Sequence, residues 1–242
     1  MICFSSFFQI KKIQVLNNQK ISTEAIENIA KQKIKQKIFI FSSESIFLAD
    51  FKTINEAALE QFPQISQMSF TRKFPDTIII RIEERKPKAV FSQAFLSFPS
   101  ENFDGQDEKY FFIDEEGIIF EEIFEPSPDL LKIKKSAIVD ELKLGERVVE
   151  KEQISKILEI GPKIKDNLKV PIEEILIVSD ERLNVKTLEG WEIYFNPKED
   201  LGWQLTKLNS VLEKEIPPEK RGNLEYIELR FGNFAPYKYR SD

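Results

Sequence analysis

The order in which two hydrophobic periodicities alternate along this chain limits its fold more than any other feature. Apolar residues at alternating positions, as in a strand, come first: Phe8 and Ile10, then Ile13 and Val15. Asn17-Asn18 supplies a turn and Ser22 an N-cap, after which Ile26, Ile29, Ala30 and Ile34 fall on one helical face. Ile38 to Phe41 and Ile46 to Leu48 read as a small hairpin around Ser42-Ser43-Glu44-Ser45. Thr53-Ile54-Asn55-Glu56 matches a capping box, so a short helix runs to about Gln61 and stops at Phe62-Pro63. Two strands follow, Ile65 to Thr71 and Thr77 to Glu84, parted by Lys73-Phe74-Pro75-Asp76. Strand, helix, helix, strand, strand is thus complete near Pro87.

Beyond that point strand signals dominate. Ala89 to Phe91, Phe95 to Phe98, Tyr110 to Asp114 and Ile118 to Phe120 are strand candidates, with Ser100 to Lys109 a polar loop. Glu115-Glu116-Gly117 is a hairpin turn with glycine where positive φ is needed. Ile154, Ile157, Leu158 and Ile164 mark a helix interrupted at Gly161-Pro162. Glu173 to Val178, Leu183 to Thr187 and Trp191 to Phe195 form a meander. Asn196-Pro197-Lys198-Glu199 opens a helix whose buried side is Leu201, Leu205, Leu208 and Leu212, closed by Pro217-Pro218. Leu224 to Phe231 is the last strand. The fold class is α+β: a small β-α-α-β-β domain, then a larger, mixed, strand-rich β domain with a C-terminal edge strand.

Composition narrows function. The 242 residues contain no histidine, which removes the commonest general base, the Ser-His and Cys-His pairs and most zinc and copper sites. Cys3 is the one cysteine, so no internal disulfide forms, and compartment is not fixed by it. A net charge of −6 argues against a nucleic-acid partner. No Walker A loop, dinucleotide fingerprint or calcium-loop spacing is present, and no cofactor is expected. The carboxylates Glu83-Glu84, Asp114-Glu115-Glu116 and Glu121-Glu122 are candidates for acid/base pairs. Neighbours on a strand point to opposite faces, however, and turn carboxylates are usually solvated, so these read as surface charges. No catalytic residue emerges, and a carboxylate-dependent hydrolase is the weakest of the functional readings.

No stretch of roughly 20 apolar residues is present to span a membrane. Ile2 to Phe8 is uncharged and is followed by Lys11-Lys12. It reads either as a frayed first strand or as the last turns of a membrane helix.

The ordered pieces resemble the FtsQ/DivIB family of bacterial cell-division proteins. Phe62-Pro63-Gln64-Ile65, Arg72-Lys73-Phe74-Pro75-Asp76-Thr77-Ile78 and Glu84-Arg85-Lys86-Pro87-Lys88-Ala89 are similar to a motif run of its POTRA domain, Tyr110 to Phe120 to its hairpin, and Tyr226 to Phe231 to its final strand. Glu228 stands where the family usually has Asp, and Phe231 where it has Tyr. The resemblance implies a POTRA domain over residues 8–87, a β domain over 88–232, a tail over 233–242, and residues 1–8 as the remnant of an anchor truncated by a late start. It implies a non-catalytic, single-pass scaffold, mostly outside the cytoplasm at the division site. Its partner would be an FtsB/FtsL-type pair adding a strand to Tyr226–Phe231. The implied partner-binding residues are Tyr226, Glu228, Leu229, Arg230 and Phe231, with Arg230 meeting an acidic residue and Lys207 bordering the site. A POTRA-type chaperone module for secreted or outer-membrane proteins is the alternative.

Overall fold

In the computed structural model, residues 6–34, 36–38, 41–43, 45–94, 108–136 and 141–241 are described. The strand expected at Phe95 to Phe98 lies outside them. The chain divides into two compact units, Met1–Lys86 and Pro87–Asp242.

The first unit is a three-stranded sheet in the order β1 (Lys12–Leu16), β5 (Thr77–Glu84), β4 (Ile65–Lys73), with α1 (Thr23–Ile34) and α2 (Phe51–Gln61). β1 runs parallel to β5, and β4 forms an antiparallel hairpin with it. A parallel pair requires a crossover, which α1 and α2 provide. Ile78, Ile80 and Ile82 alternate onto the buried face of β5 and meet Ile26, Ile29, Ala30 and Ile34 of α1 and Ile54 and Ala58 of α2. Each of those isoleucines contributes roughly 1.5–3 kcal/mol of burial. The small hairpin is β2 (Gln36–Ile38) with β3 (Phe41–Ser43), so Ile46 to Leu48 is a turn and not its second strand.

α2 begins one turn before the expected capping box. Asp50 is the cap, accepting from Lys52 N at 3.0 Å. Thr53 sits inside the first turn with its hydroxyl on Asp50 O. Asp outcompetes Thr here because its carboxylate also favours the positive end of the helix dipole.

The second unit is a nine-stranded sheet. The order is β14 (Tyr237–Tyr239), β13 (Leu224–Glu228), β12 (Glu192–Phe195), β11 (Arg182–Thr187), β10 (Ile172–Ser179), β9 (Leu131–Lys135), β6 (Ala89–Ala94), β7 (Glu108–Ile113), β8 (Ile119–Ile123). Helix α3 (Lys151–Pro162) crosses between the parallel pair β9 and β10, and α4 (Leu201–Lys214) between the parallel pair β12 and β13. The register places Phe91, Ile133, Ile175, Val185, Ile193 and Ile227 in one row across the sheet, buried with Ile157, Ile160, Leu208 and Leu212 of the helices. The opposite face carries the alternating row Lys132, Glu174, Lys186, Glu192, Tyr226, Lys238.

α3 continues through Gly161 and ends at Pro162, followed by a wider turn over Lys163–Asn167, so the interruption falls later than expected. α4 is capped by Asp200, which accepts from Trp203 N at 2.5 Å, and not by Asn196. Asn196 instead closes a turn of its own, accepting from Lys198 N at 3.0 Å.

Candidate functional site

At its C-terminal side the large sheet ends in a strand formed by the last residues of the chain. β13 stops at Glu228, three residues before the expected end: Leu229 N still bonds Tyr194 O, but the chain then bends away at Arg230–Gly232. Gly232 has φ +48°, which lets the chain reverse. The returning segment bonds Glu228 N to Pro236 O (2.8 Å) and Arg240 N to Asn223 O (2.8 Å), pairing β14 antiparallel to β13. The stretch 233–242, expected as a tail, therefore contributes the edge strand. β13, paired on both sides, is internal. Residues 236, 238 and 240 turn their backbone groups toward β13, so alternation leaves those of Tyr237 and Tyr239 pointing out of the sheet.

The residues singled out from sequence divide into two groups. Leu229 is in the hydrophobic core, and Glu228 is buried. Arg230 grips Glu228 through two bonds, Nε to Oε1 at 2.8 Å and Nη2 to Oε2 at 2.5 Å, and its own N–H donates to Oε1 at 3.0 Å. Burial pushes the Glu228 carboxyl up, but the Arg230 side chain and backbone N–H outweigh it and hold the carboxyl below its ordinary value. The same bonds raise the Arg230 guanidinium. Arg230 thus already has an acidic partner inside the chain.

Lys207 is only 6% exposed. Its ammonium donates to three carbonyls of the bend: Leu229 O (2.6 Å), Gly232 O (2.9 Å) and Phe234 O (3.2 Å). Burial lowers its pKa. Its geometric role is to tie the 229–234 bend to α4.

Tyr226 stacks on Tyr194, with centroids 5.1 Å apart and planes 21° apart, on the open sheet face. Arg182 lies 4.5 Å over the Tyr194 ring and Arg230 lies 5.9 Å from it. Burial, then the neighbouring Glu192, push the Tyr194 hydroxyl up to about 12.

Phe231 is 61% exposed and Phe234 is 78% exposed. They edge a groove of about 900 Å³ between α4 and the strap leading into β14, lined also by Trp203, Val211, Pro236 and Tyr237. Sequence reasoning missed Trp203, Phe234, Tyr237 and Tyr239. The alternation of aromatics in Phe234-Ala235-Pro236-Tyr237-Lys238-Tyr239 was the available signal.

Three of the carboxylates considered for chemistry, Glu84, Asp114 and Glu116, have structural roles. Glu84 receives the N–H groups of Gln19 (2.7 Å), Lys20 and Ile21. Asp114 accepts from Glu116 N (2.9 Å) and Ile118 N (3.0 Å) to shape the β7–β8 turn. Glu116 pairs with Lys151 at 2.6 Å. Among the described residues no helix is long and apolar enough to cross a membrane.

Comparison with known proteins gives these pieces a family. The family model "POTRA domain, FtsQ-type" matches residues 8–85, and "Cell division protein FtsQ/DivIB, C-terminal" matches residues 105–230. Three curated relatives carry the name cell division protein FtsQ. The chain is 31% identical over 98 residues to that of Syntrophotalea carbinolica, which spans 40% of this chain and 32% of the relative. It is 20% identical over 227 residues to that of Geobacter sp. strain M21, spanning 93% and 76%. With the protein of Streptomyces bingchenggensis it shares 19% identity over 209 residues, 85% of this chain and 72% of the relative. The first of these matches thus spans about a third of that relative, the other two about three quarters. With the C-terminal family model alone matching more than half of its length, this chain belongs to the FtsQ/DivIB family of cell-division proteins.

Proposed function

We propose that this protein is a non-catalytic scaffold of the division machinery whose C-terminal sheet edge accepts a strand from another division protein, of the FtsB/FtsL type, outside the cytoplasm. The observation carrying this reading is the outward backbone of Tyr237 and Tyr239 beside an apolar groove. An edge strand supplies main-chain hydrogen bonds, and pockets beside it select side chains. β14 extends β13, so a partner strand extends the same sheet by one more. The partner's continuation would enter the groove and cover Phe231 and Phe234. Within this reading Tyr226, Glu228, Leu229, Arg230 and Lys207 act from beneath: they hold the bend and β14 in place. Non-catalysis is supported by the structural uses of Glu84, Asp114 and Glu116 described above. The family's anchored topology is part of the proposal.

The test is co-purification of the chain with an FtsB/FtsL-type pair from the same organism. Tyr239→Pro removes one outward N–H while leaving the bonds to β13, and Phe231→Ser with Phe234→Ser strips the groove. Each change is expected to weaken capture at least about tenfold, which corresponds to 1.4 kcal/mol, with the thermal midpoint kept within a few degrees. Capture at the level of the unchanged chain in both variants overturns the proposal.

A further inference from the structure

The three-stranded sheet of the first unit turns one face toward its helices. Ile78, Ile80 and Ile82 of β5 are buried with α1 and α2, so alternation sends Thr77, Ile79, Arg81 and Glu83 to the other face. The register supplies their neighbours there. Lys12 and Lys73 flank Thr77, Gln14 and Thr71 flank Ile79, and Leu16 and Ser69 flank Arg81. Arg81 Nη1 donates along this face to Thr71 Oγ1 at 3.3 Å. Lys12, Lys73 and Arg81 are exposed, with Ile79 half-buried between them and Leu16 half-buried beside Arg81.

The cations of this face lack counter-charges. Among the described residues no carboxylate pairs with Lys12, Lys73 or Arg81, while the neighbouring Lys11 has Asp76 at 3.6 Å. The open face of the large sheet is built the other way: Lys132, Lys134, Lys186 and Lys238 each have a carboxylate within 3.6 Å. Charge is balanced across strands there and left over here. The unit as a whole shares this sign. Through Lys86 the sequence holds thirteen Lys and Arg against nine Asp and Glu, a net +4, whereas from Pro87 on it holds twenty-two against thirty-two, a net −10. Lys12 and Lys73 are two strand spacings apart, roughly 10 Å, and Arg81 lies four residues along β5 from Thr77, roughly 13 Å. An apolar centre ringed by spaced cations, hydroxyls and amides has the composition of a protein interface. A groove for a phosphate polymer needs denser positive charge.

We infer that this open face of the β1-β5-β4 sheet docks an acidic polypeptide segment of another protein. Asp or Glu side chains of that segment meet Lys12, Lys73 and Arg81, and its apolar side chains cover Ile79 and Leu16. The site shares no residue with the β14 edge and does not depend on strand addition there.

Fluorescence anisotropy of a labelled peptide alternating Glu and Leu, titrated with the full chain, tests it. A second peptide alternating Glu and Ser carries the same charge without the apolar side chains. The unchanged chain is expected to bind the first peptide, more weakly as salt rises, and the second about tenfold more weakly still. Lys73→Glu with Arg81→Glu is expected to weaken binding of the first at least about tenfold. If that variant loses its cooperative melt, Lys12→Gln with Lys73→Gln decides the matter. Lys186→Gln removes a cation that is already paired, and Tyr239→Pro blocks the β14 edge; both are expected to bind as the unchanged chain does. No binding by the unchanged chain, or equal binding by the Lys73 and Arg81 variant, overturns the inference. So does loss of binding in Tyr239→Pro, which would put the peptide at β14. Equal affinity for the Glu–Leu peptide, the Glu–Ser peptide and inorganic polyphosphate also overturns it, since that marks a surface for any polyanion.

Discussion

At Gly117 the backbone adopts φ +77°, and a Cβ built there would meet the Val149 carbonyl oxygen at 1.8 Å. That carbonyl belongs to the segment docking on the turn, where Val148 N and Val149 N bond Gly117 O. Glycine is required twice over, by conformation and by close approach. Gly117→Ala is expected to destabilise the second unit by about 3 kcal/mol, read as a lower urea midpoint; an unchanged midpoint would mean the turn is not as described. The sequence revealed the need for positive φ, since a glycine after two acidic residues between strand patterns marks a hairpin. It could not reveal the approach of Val149, which lies 32 positions away. Arg230 teaches the converse. The family resemblance implies that it meets a partner's acidic residue, for which Arg230→Glu is the obvious probe. Its bidentate grip on buried Glu228 means that change would set two carboxylates together, confounding fold with binding.

Among the elements, β9, like β14, was absent from the sequence reading. Leu-Lys-Ile-Lys-Lys is short, strongly charged, and follows a proline-rich loop, so it resembles a solvated run. Lys132 and Lys134 are on the open face, where cross-strand carboxylates satisfy them, while Lys135 is on the other face and donates to Val148 O at 3.0 Å. Lys134 lies 3.1 Å from both Glu108 and Glu174, and Lys132 lies 3.6 and 3.8 Å from the same two. Ile133 is buried in the core and Leu131 packs against it, and two apolar positions are too few for periodicity to register. Here the cross-strand pairing decides the element. Glu108 also accepts from Tyr110 Oη at 2.7 Å. Burial pushes the Glu108 carboxyl up, but Tyr110 and Lys134 outweigh it and bring it down to about 2. Between about pH 4.5 and 2 the unfolded chain then holds more protons at this site than the folded one. The contribution, up to about 3 kcal/mol, is complete above that window and lost as pH falls through it. In Glu108→Gln that part of the acid limb is expected to flatten in denaturant titrations from pH 6 to 2 (roughly, the range carboxylates span). An unaltered limb would place the proton uptake elsewhere.

Across the whole molecule, the strand-helix-helix-strand-strand order and the later meander were legible because punctuation and periodicity agreed there. The edge of the large sheet was not. The final apolar run, Leu224 to Leu229, reads as the last strand because its signal is strong, while Tyr237–Tyr239 is three residues long and follows Gly, Asn and Pro. Which strand ends a sheet depends on pairing between distant segments, and no local pattern encodes that. The binding surface proposed from the fold therefore shifts from Tyr226–Phe231 to β14 and its groove, which Phe231 edges, with Tyr226, Glu228, Leu229 and Arg230 as supports. Residue-resolved hydrogen exchange on the full chain, alone and with an FtsB/FtsL-type pair, tests this most directly. The account predicts that the Tyr237 and Tyr239 amides exchange rapidly in the free chain and slow at least about tenfold in the complex. Unchanged exchange at both, with protection appearing instead at the opposite edge strand Ile119–Ile123, would contradict it.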